Sequence, residues 1–193
     1  MSRKALAVKR FREKDGFTAL ELLLTVGILG VLSSIALFQI GQSLPGLRGD
    51  GAMRVLMAQM TTARETAITQ RHIMRLNFIN GNQVQIVREE TTGSTLTVLS
   101  SALFESGARF SLVSGVPDTP DAFGNSSAVY FNAATQVRFG ADGMLIDQSG
   151  NPLNGTVFVS IPNQPLSFRA VTVLGTTGRV RGYRWDGRQW KQV

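Results

Sequence analysis

The stretch from Phe17 to Ile40 reads FTALELLLTVGILGVLSSIALFQI, and Glu21 is its only charged residue. As a helix, residues 17–40 span roughly 36 Å at 1.5 Å per residue. The hydrocarbon core of a bilayer is about 30 Å thick, so the segment is long enough to cross it. The sequence therefore predicts a membrane-spanning helix near the N-terminus.

The charges around this segment predict its orientation. Six Lys or Arg residues and two acids lie in residues 1–16, whereas residues 17–193 hold the other 14 basic and 11 acidic residues, Glu21 among them. Positive charge resists translocation, so we expect a cytoplasmic N-terminus and a periplasmic C-terminal part.

Three ordinary interpretations compete for residues 17–40. They are a secretory signal peptide cut after the small-residue site at 34–36, a simple signal anchor, and a buried core helix. None of them explains Glu21, because a carboxylate costs up to about 2.5–3.5 kcal/mol at the centre of a bilayer and less near its edge. A charge at this position indicates a function, and its partner should be a cation.

The six residues Gly16-Phe17-Thr18-Ala19-Leu20-Glu21 follow a basic leader and open an apolar run. In this setting they resemble the signal of type IV prepilins. The resemblance implies that a membrane-embedded prepilin peptidase cuts between Gly16 and Phe17 and methylates the new amine. Such a cut would create a cationic amine at Phe17 among apolar helices, and Glu21 of a neighbouring subunit is its natural counter-charge. The chain departs from the family in one respect, since Phe38 stands where members often carry a proline.

Beyond the apolar run, the pattern predicts a second helical stretch. Pro45, Gly46, Gly49 and Gly51 punctuate residues 42–51, so we expect the long helix to be interrupted or loosened there. Apolar residues then recur at helical spacing over about 51–70, and we expect this face, which includes several methionines, to pack on a sheet.

From residue 72 onward the period changes to two and indicates strands. Asn80-Gly81-Asn82 marks a hairpin, and residues 115–127 have the composition of a surface loop. The predicted strands cover 73–79, 83–90, 95–99, 109–113, 129–131, 136–139, 156–161, 167–174, 179–185 and 189–192. The sequence thus predicts an α+β, pilin-like fold, with a long N-terminal hydrophobic helix followed by an amphipathic helix on antiparallel β-sheet.

This layout, the stretch 137–143 and the terminal Gly178-Arg179-Val180-Arg181 resemble the GspH/FimT class of minor pilins and pseudopilins. The resemblance implies a low-abundance subunit of a type IV pilus or a type II secretion filament. It also makes this element a candidate DNA contact, since Gly-Arg-x-Arg near the C-terminus is similar to the DNA-binding element of FimT-type pilins.

The C-terminal segment carries a basic pattern of its own. On a strand, Arg179, Arg181, Tyr183 and Trp185 would share one face and Arg184 the other. Five basic side chains are candidates for binding DNA: Arg179, Arg181, Arg184, Arg188 and Lys191. A basic ribbon with aromatic neighbours suits phosphates and stacked bases. The alternative is a solvated terminal hairpin with Trp185 and Trp190 as a cross-strand pair.

The sequence contains few residues of the types that usually perform catalysis. The chain has no cysteine, a single histidine (His72), and no phosphate-binding glycine loop. Glu89 and Glu90 are adjacent on a predicted strand and should point to opposite faces. Asp142 and Asp147 lack a calcium-loop pattern, so turn formation explains them better. We expect no enzyme, no cofactor and no metal.

The sequence therefore predicts three parts: a cleaved cytoplasmic leader at 1–16, a transmembrane and assembly helix at 17–40, and a periplasmic pilin-like α+β domain at 41–193. The expected location is the bacterial inner membrane, single-pass, and then a filament. The expected partners are other pilin or pseudopilin subunits, prepilin peptidase and inner-membrane lipid, with DNA as a further candidate. Two alternatives stay open: a DNA-uptake module as the main role, and a periplasmic protein released by signal peptidase.

Overall fold

The computed structural model describes residues 17–90, 96–132, 134 and 136–193. The predicted leader at 1–16, with Gly16, lies outside these residues. By its internal contacts the chain divides into two units, Met1–Gln42 and Ser43–Val193. Each is described by itself.

The first unit contributes the beginning of α1, a helix assigned to Ala19–Gln70. Every described residue from Phe17 to Gly41 is exposed in this unit, including its large apolar side chains. Within the described part of the chain, α1 is one helix that is long and apolar enough to cross a membrane, by length and composition.

In the second unit, α1 turns an apolar stripe toward the core. Met53, Leu56, Met60, Ala63 and Ala67 are buried and recur at helical spacing, as the sequence predicts. Met53 and Met60 belong to the core and Met57 is partly buried against it, so the methionines pack inside the fold as expected. This unit thus joins a helix to sheets through one continuous core.

The first sheet is antiparallel, and its strand order is β3-β2-β1-β6-β7. Its strands are β1 (Met74–Ile79), β2 (Gln83–Glu89), β3 (Leu96–Leu103), β6 (Val137–Phe139) and β7 (Leu145–Ile146). The hairpin between β1 and β2 turns at Asn80 and Gly81, both with positive φ. The hairpin predicted from Asn80-Gly81-Asn82 is therefore confirmed.

The second sheet is also antiparallel, in the order β11-β10-β9-β8-β4, and β5 pairs with β8 beyond this path. Its strands are β4 (Arg109–Phe110), β5 (Val129–Tyr130), β8 (Gly155–Ser160), β9 (Arg169–Leu174), β10 (Arg179–Trp185) and β11 (Trp190–Gln192). A short 3-10 turn, Pro165–Ser167, precedes β9. The predicted α+β fold class, a long apolar helix followed by antiparallel sheet, is confirmed.

One prediction about the helix is wrong: α1 is not interrupted at 42–51 and continues through Pro45. A proline removes one helical hydrogen bond, but contacts to the second sheet support the helix just after it. Arg169 Nη2 donates to the carbonyl oxygen of Gly46 at 2.8 Å, and Gly49 packs directly on the backbone of Ser167.

Several strand boundaries also differ from the prediction. The strand expected at 109–113 is only two residues long, and residues 165–167 form a 3-10 turn where a strand was expected from 167. The strand expected at 95–99 extends to Leu103, and its predicted start at Thr95 lies outside the described residues. The loop at 115–127 is confirmed.

Candidate functional site

The start of α1 is held by Thr18. Its Oγ1 accepts the backbone N–H of Glu21 at 3.2 Å, and its carbonyl oxygen accepts the N–H of Leu22 at 3.1 Å. Thr18 is thus an N-cap, and Glu21 occupies the third helical position, as in a capping box. This cap was not predicted above, although the Thr-x-x-Glu spacing signals it.

Glu21 itself is exposed, in a helical stretch that is otherwise uncharged up to Ile40. A carboxylate in the first turn is stabilised by the positive end of the helix dipole, typically by about 0.3–1 kcal/mol. This local effect gives the side chain a role within one subunit. This local role is an alternative to the predicted pairing of Glu21 with the Phe17 amine of a neighbouring subunit.

The C-terminal ribbon, residues 179–192, is a hairpin of β10 and β11. Trp185 and Trp190 are directly opposite in the register, with ring centroids 5.3 Å apart, so the predicted cross-strand pair is confirmed. Asp186 makes the turn, because its Oδ1 accepts the N–H groups of Arg188 and Gln189, each at 2.8 Å. These bonds, together with Lys191, hold the pKa of Asp186 well below its ordinary value.

The two faces of β10 separate as predicted. Arg181 and Tyr183 both bind the carboxylate of Asp121, on the face covered by the loop between β4 and β5. Arg184 points the other way and binds Asp50 of α1 at 2.6 Å. The alternation of side chains along this strand is therefore confirmed.

Three of the five basic side chains predicted to contact DNA form ion pairs with carboxylates of the same chain. Arg181 pairs with Asp121, Arg184 with Asp50, and Lys191 with Asp186 at 2.9 Å. Among the residues that the structure describes, no carboxylate lies within 4.0 Å of the side chains of Arg179 and Arg188, and both residues are exposed. The structure brings the five residues onto one hairpin, and of these five only Arg179 and Arg188 have no counter-charge among the described residues.

Asp50 belongs to a buried ion cluster that the sequence analysis missed. Arg169 is 1% exposed, and its Nε donates to Oδ1 of Asp50 at 2.6 Å. Its Nη atoms donate to the carbonyl oxygens of Gly46, Leu166 and Phe168, each at 2.8 Å. The signal in the sequence is a lone arginine within the apolar strand RAVTVL, because a charge there must be paired.

The acids considered for chemistry have structural roles. Glu89 binds Arg75 and Arg138, whereas Glu90 binds Arg88, so the two carboxylates do not converge. The hydrogen bond from Arg88 lowers the pKa of Glu90.

Asp142 and Asp147 accept backbone N–H groups in turns, as expected of turn-forming residues. Those hydrogen bonds, led by the one from Asn151, lower the pKa of Asp147. In residues 17–90, 96–132, 134 and 136–193, no group of three or more His, Asp or Glu side chains could hold a metal ion.

Three solved structures are similar to this chain. Two are crystal forms of the type IV minor pilin FimU of Pseudomonas aeruginosa (strain PAO1). One has a TM-score of 0.49 and 16% identity over 74% of this chain and 91% of that chain. The other has a TM-score of 0.47 and 17% identity over 69% and 90%. The third is the minor pseudopilin EpsH from the type 2 secretion system of Vibrio cholerae, with a TM-score of 0.44 and 10% identity over 71% and 97%.

No protein-family model matches the chain, and no curated protein matches it.

Proposed function

We propose that the chain is a minor pilin or pseudopilin subunit that inserts into the bacterial inner membrane through residues 17–40 and then enters a filament of a type IV pilus or a type II secretion system. The observation that carries the proposal is the exposed, largely apolar surface of residues 17–41, in which Glu21 is the one charged side chain. Such a surface requires lipid or other apolar helices around it. Because positive charge resists translocation, we infer from the basic leader that the N-terminus is cytoplasmic and residues 41–193 are periplasmic.

Processing after Gly16 is part of the proposal. A cut by prepilin peptidase would leave the amine of Phe17 one residue before the N-cap, Thr18. A cation at the positive end of a helix dipole, within an apolar helix bundle, is unfavourable unless an anion pairs with it. Glu21 of a neighbouring subunit supplies that anion. Methylation of the amine keeps its charge.

The test must separate this intermolecular role of Glu21 from its local role at the helix start. Glu21→Gln removes the charge but keeps a side chain that suits the third position of a capping box. Thr18→Ala is the matched control, because it removes the cap and keeps the charge. Both variants should be cleaved and should reach the membrane at normal levels.

We expect Glu21→Gln to lower incorporation into sheared filaments roughly tenfold, which corresponds to about 1.4 kcal/mol lost per contact. Thr18→Ala should be incorporated nearly as well as the original chain. Normal incorporation of Glu21→Gln would contradict the charge-pairing role.

A second candidate function is capture of DNA by the C-terminal ribbon, with the subunit acting as a DNA-uptake module. The exposed side chains of Arg179 and Arg188, which have no carboxylate partner in the described chain, favour it. Two cations give weak, salt-sensitive binding rather than a specific complex. The subunit role therefore comes first, and DNA contact is an addition to it.

A further inference from the structure

The carboxylate of Asp121 is surrounded by three donors from the second sheet. Thr172 Oγ1 donates to Oδ2 at 2.6 Å, Tyr183 Oη donates to the same oxygen at 2.9 Å, and Arg181 Nη1 donates to Oδ1. Arg181 and Thr172 are directly opposite in the pairing of β10 with β9, and Tyr183 is two residues further along the same face. The donors are therefore fixed by the sheet, whereas the acceptor comes from a loop.

Two of these donors are buried at the bottom of the site, and the third is partly exposed at its opening. Thr172 and Tyr183 are 1% and 3% exposed and form the floor. The Arg181 side chain is 30% exposed and lies at the mouth. Burial also raises the pKa of Tyr183, so its hydroxyl remains a donor at neutral pH.

Arg181 is not fully satisfied by Asp121. Its Nε is buried and has no acceptor in the described part of the chain. A guanidinium binds a carboxylate or a phosphate group best through two parallel N–H···O bonds, and here one of its inner donors is unused. A phosphate group offers more acceptor oxygens than a carboxylate and could engage both Nε and Nη1.

We propose that Arg181, Thr172 and Tyr183 form a binding site for a phosphate group and that Asp121 occupies it as an internal competitor. The phosphate is either free in solution or part of a nucleic-acid backbone. The proposal rests on the second candidate function only for this latter source. While Asp121 is in place, Arg181 contributes little to binding of external anions.

The ordinary alternative is that Asp121 simply fastens the loop to the sheet. The loop has other ties on both sides of Asp121, since Trp190 Nε1 donates to the carbonyl oxygen of Pro117 at 2.8 Å. After Asp121, the N–H of Phe158 in β8 donates to the carbonyl oxygen of Ala128 at 2.7 Å, and within the loop the N–H of Gly124 donates to Asp118 Oδ2 at 2.7 Å. Removing the Asp121 carboxylate should therefore leave the loop in place and an empty site lined by three donors.

The test uses the full chain in detergent micelles and compares the original chain with Asp121→Ala. The melting temperature is followed as inorganic phosphate replaces sodium chloride at constant ionic strength. We expect phosphate to raise the melting temperature of Asp121→Ala and not that of the original chain. The double variant Asp121→Ala/Arg181→Ala should lose the effect. Asp118→Ala, which loosens the same loop elsewhere, should not gain it.

Binding to a short DNA duplex distinguishes the two sources of phosphate. If the backbone of DNA enters the site, Asp121→Ala should bind more tightly than the original chain, and its slope of log affinity against log salt should be steeper by about 0.9. If phosphate stabilises the variant but DNA affinity is unchanged, the site takes free phosphate and the inference stands without a role for DNA.

If Asp121→Ala fails to fold, the same phosphate and DNA measurements are made on Asp121→Asn. This variant keeps the size of the side chain and removes the charge that neutralises Arg181. The inference is overturned if neither variant responds to phosphate or DNA more strongly than the original chain. Binding of DNA by the original chain at the same affinity would then leave the second candidate function intact.

Discussion

Nε of Arg169 donates a 2.6 Å hydrogen bond to Oδ1 of Asp50, which joins α1 to β9 across 119 positions of sequence. The same guanidinium binds three backbone carbonyl oxygens, so nearly all of its donors are used inside the protein. Removing one partner of a buried ion pair leaves the other charge buried without a counter-charge or water, typically at a cost of about 3–5 kcal/mol.

Arg169→Met should therefore lower the free energy of unfolding by about 3–5 kcal/mol. Arg184→Met is the control, because Arg184 binds the other oxygen of Asp50 but is half exposed and leaves the Arg169 pair intact. It should cost at most about 1 kcal/mol. Urea unfolding of both variants measures the difference. Equal losses in the free energy of unfolding would show that the buried Arg169–Asp50 pair contributes no more to stability than the Arg184–Asp50 pair.

Two glycines of α1 should respond in opposite directions to the same change. A Cβ at Gly49 would lie 2.5 Å from the backbone oxygen of Ser167, whereas one at Gly51 would meet nothing within 4 Å. Helix propensity alone favours alanine over glycine by about 0.8–1.0 kcal/mol. Gly51→Ala should therefore stabilise the chain by about that amount. Gly49→Ala should destabilise it by about 1–3 kcal/mol, because the helix must move away from the 3-10 turn.

Thermal unfolding of the two alanine variants gives the test. A gain in melting temperature for Gly49→Ala would contradict the close approach of α1 to Ser167.

If the ribbon contacts DNA, its residues should contribute unequally. Arg179→Ala and Arg188→Ala should each weaken binding and lower the salt slope by about 0.9, since each removes one phosphate contact. Arg184→Ala should change binding little, because Asp50 already neutralises that side chain. Titration of a short duplex at several salt concentrations measures both quantities. Equal losses at all three positions, or binding that ignores salt, would argue against this assignment.

Tyr183 should make stability depend on alkaline pH. Burial, and then the hydrogen bond to Asp121, raise the pKa of this phenol in the folded chain. Below about pH 10 the phenol is protonated in both states and adds no pH dependence. Above it the unfolded chain loses the proton first, so the free energy of unfolding falls as pH rises toward the folded pKa, by at most about 1.4 kcal/mol per pH unit.

Tyr183→Phe should remove this alkaline loss and also cost about 1 kcal/mol at neutral pH through the missing hydrogen bond. Tyr130→Phe is the control, and it should keep the alkaline loss because Tyr183 is retained. The prediction fails if all three chains lose stability in parallel between pH 9 and pH 11, a range centred on about pH 10.

Local pattern was enough to predict some of these features. The period of two over residues 179–185 predicts both faces of β10, and the structure confirms them through Asp121 and Asp50. The helical spacing of Met53, Leu56 and Met60 likewise predicts the buried face of α1.

Other features depend on contacts between distant segments, which local pattern does not encode. Pro45 predicts an interruption, but the contacts of Arg169 and Ser167 support the helix there. The pairing of Arg181 with Asp121 crosses 60 positions and ends in a loop without regular periodicity. For this reason the sequence predicts more unpaired positive charge on the ribbon than remains in the folded chain.

The identity of the first residue of the mature chain tests the central claim most directly. Intact-mass and N-terminal peptide mass spectrometry of the protein purified from its native membrane should find a chain that begins at Phe17 with a methylated amine. A chain that begins at Met1 or Ser2, or near residue 37 after signal-peptidase cleavage, would contradict the proposal that this is a pilin-like subunit assembled through Phe17 and Glu21.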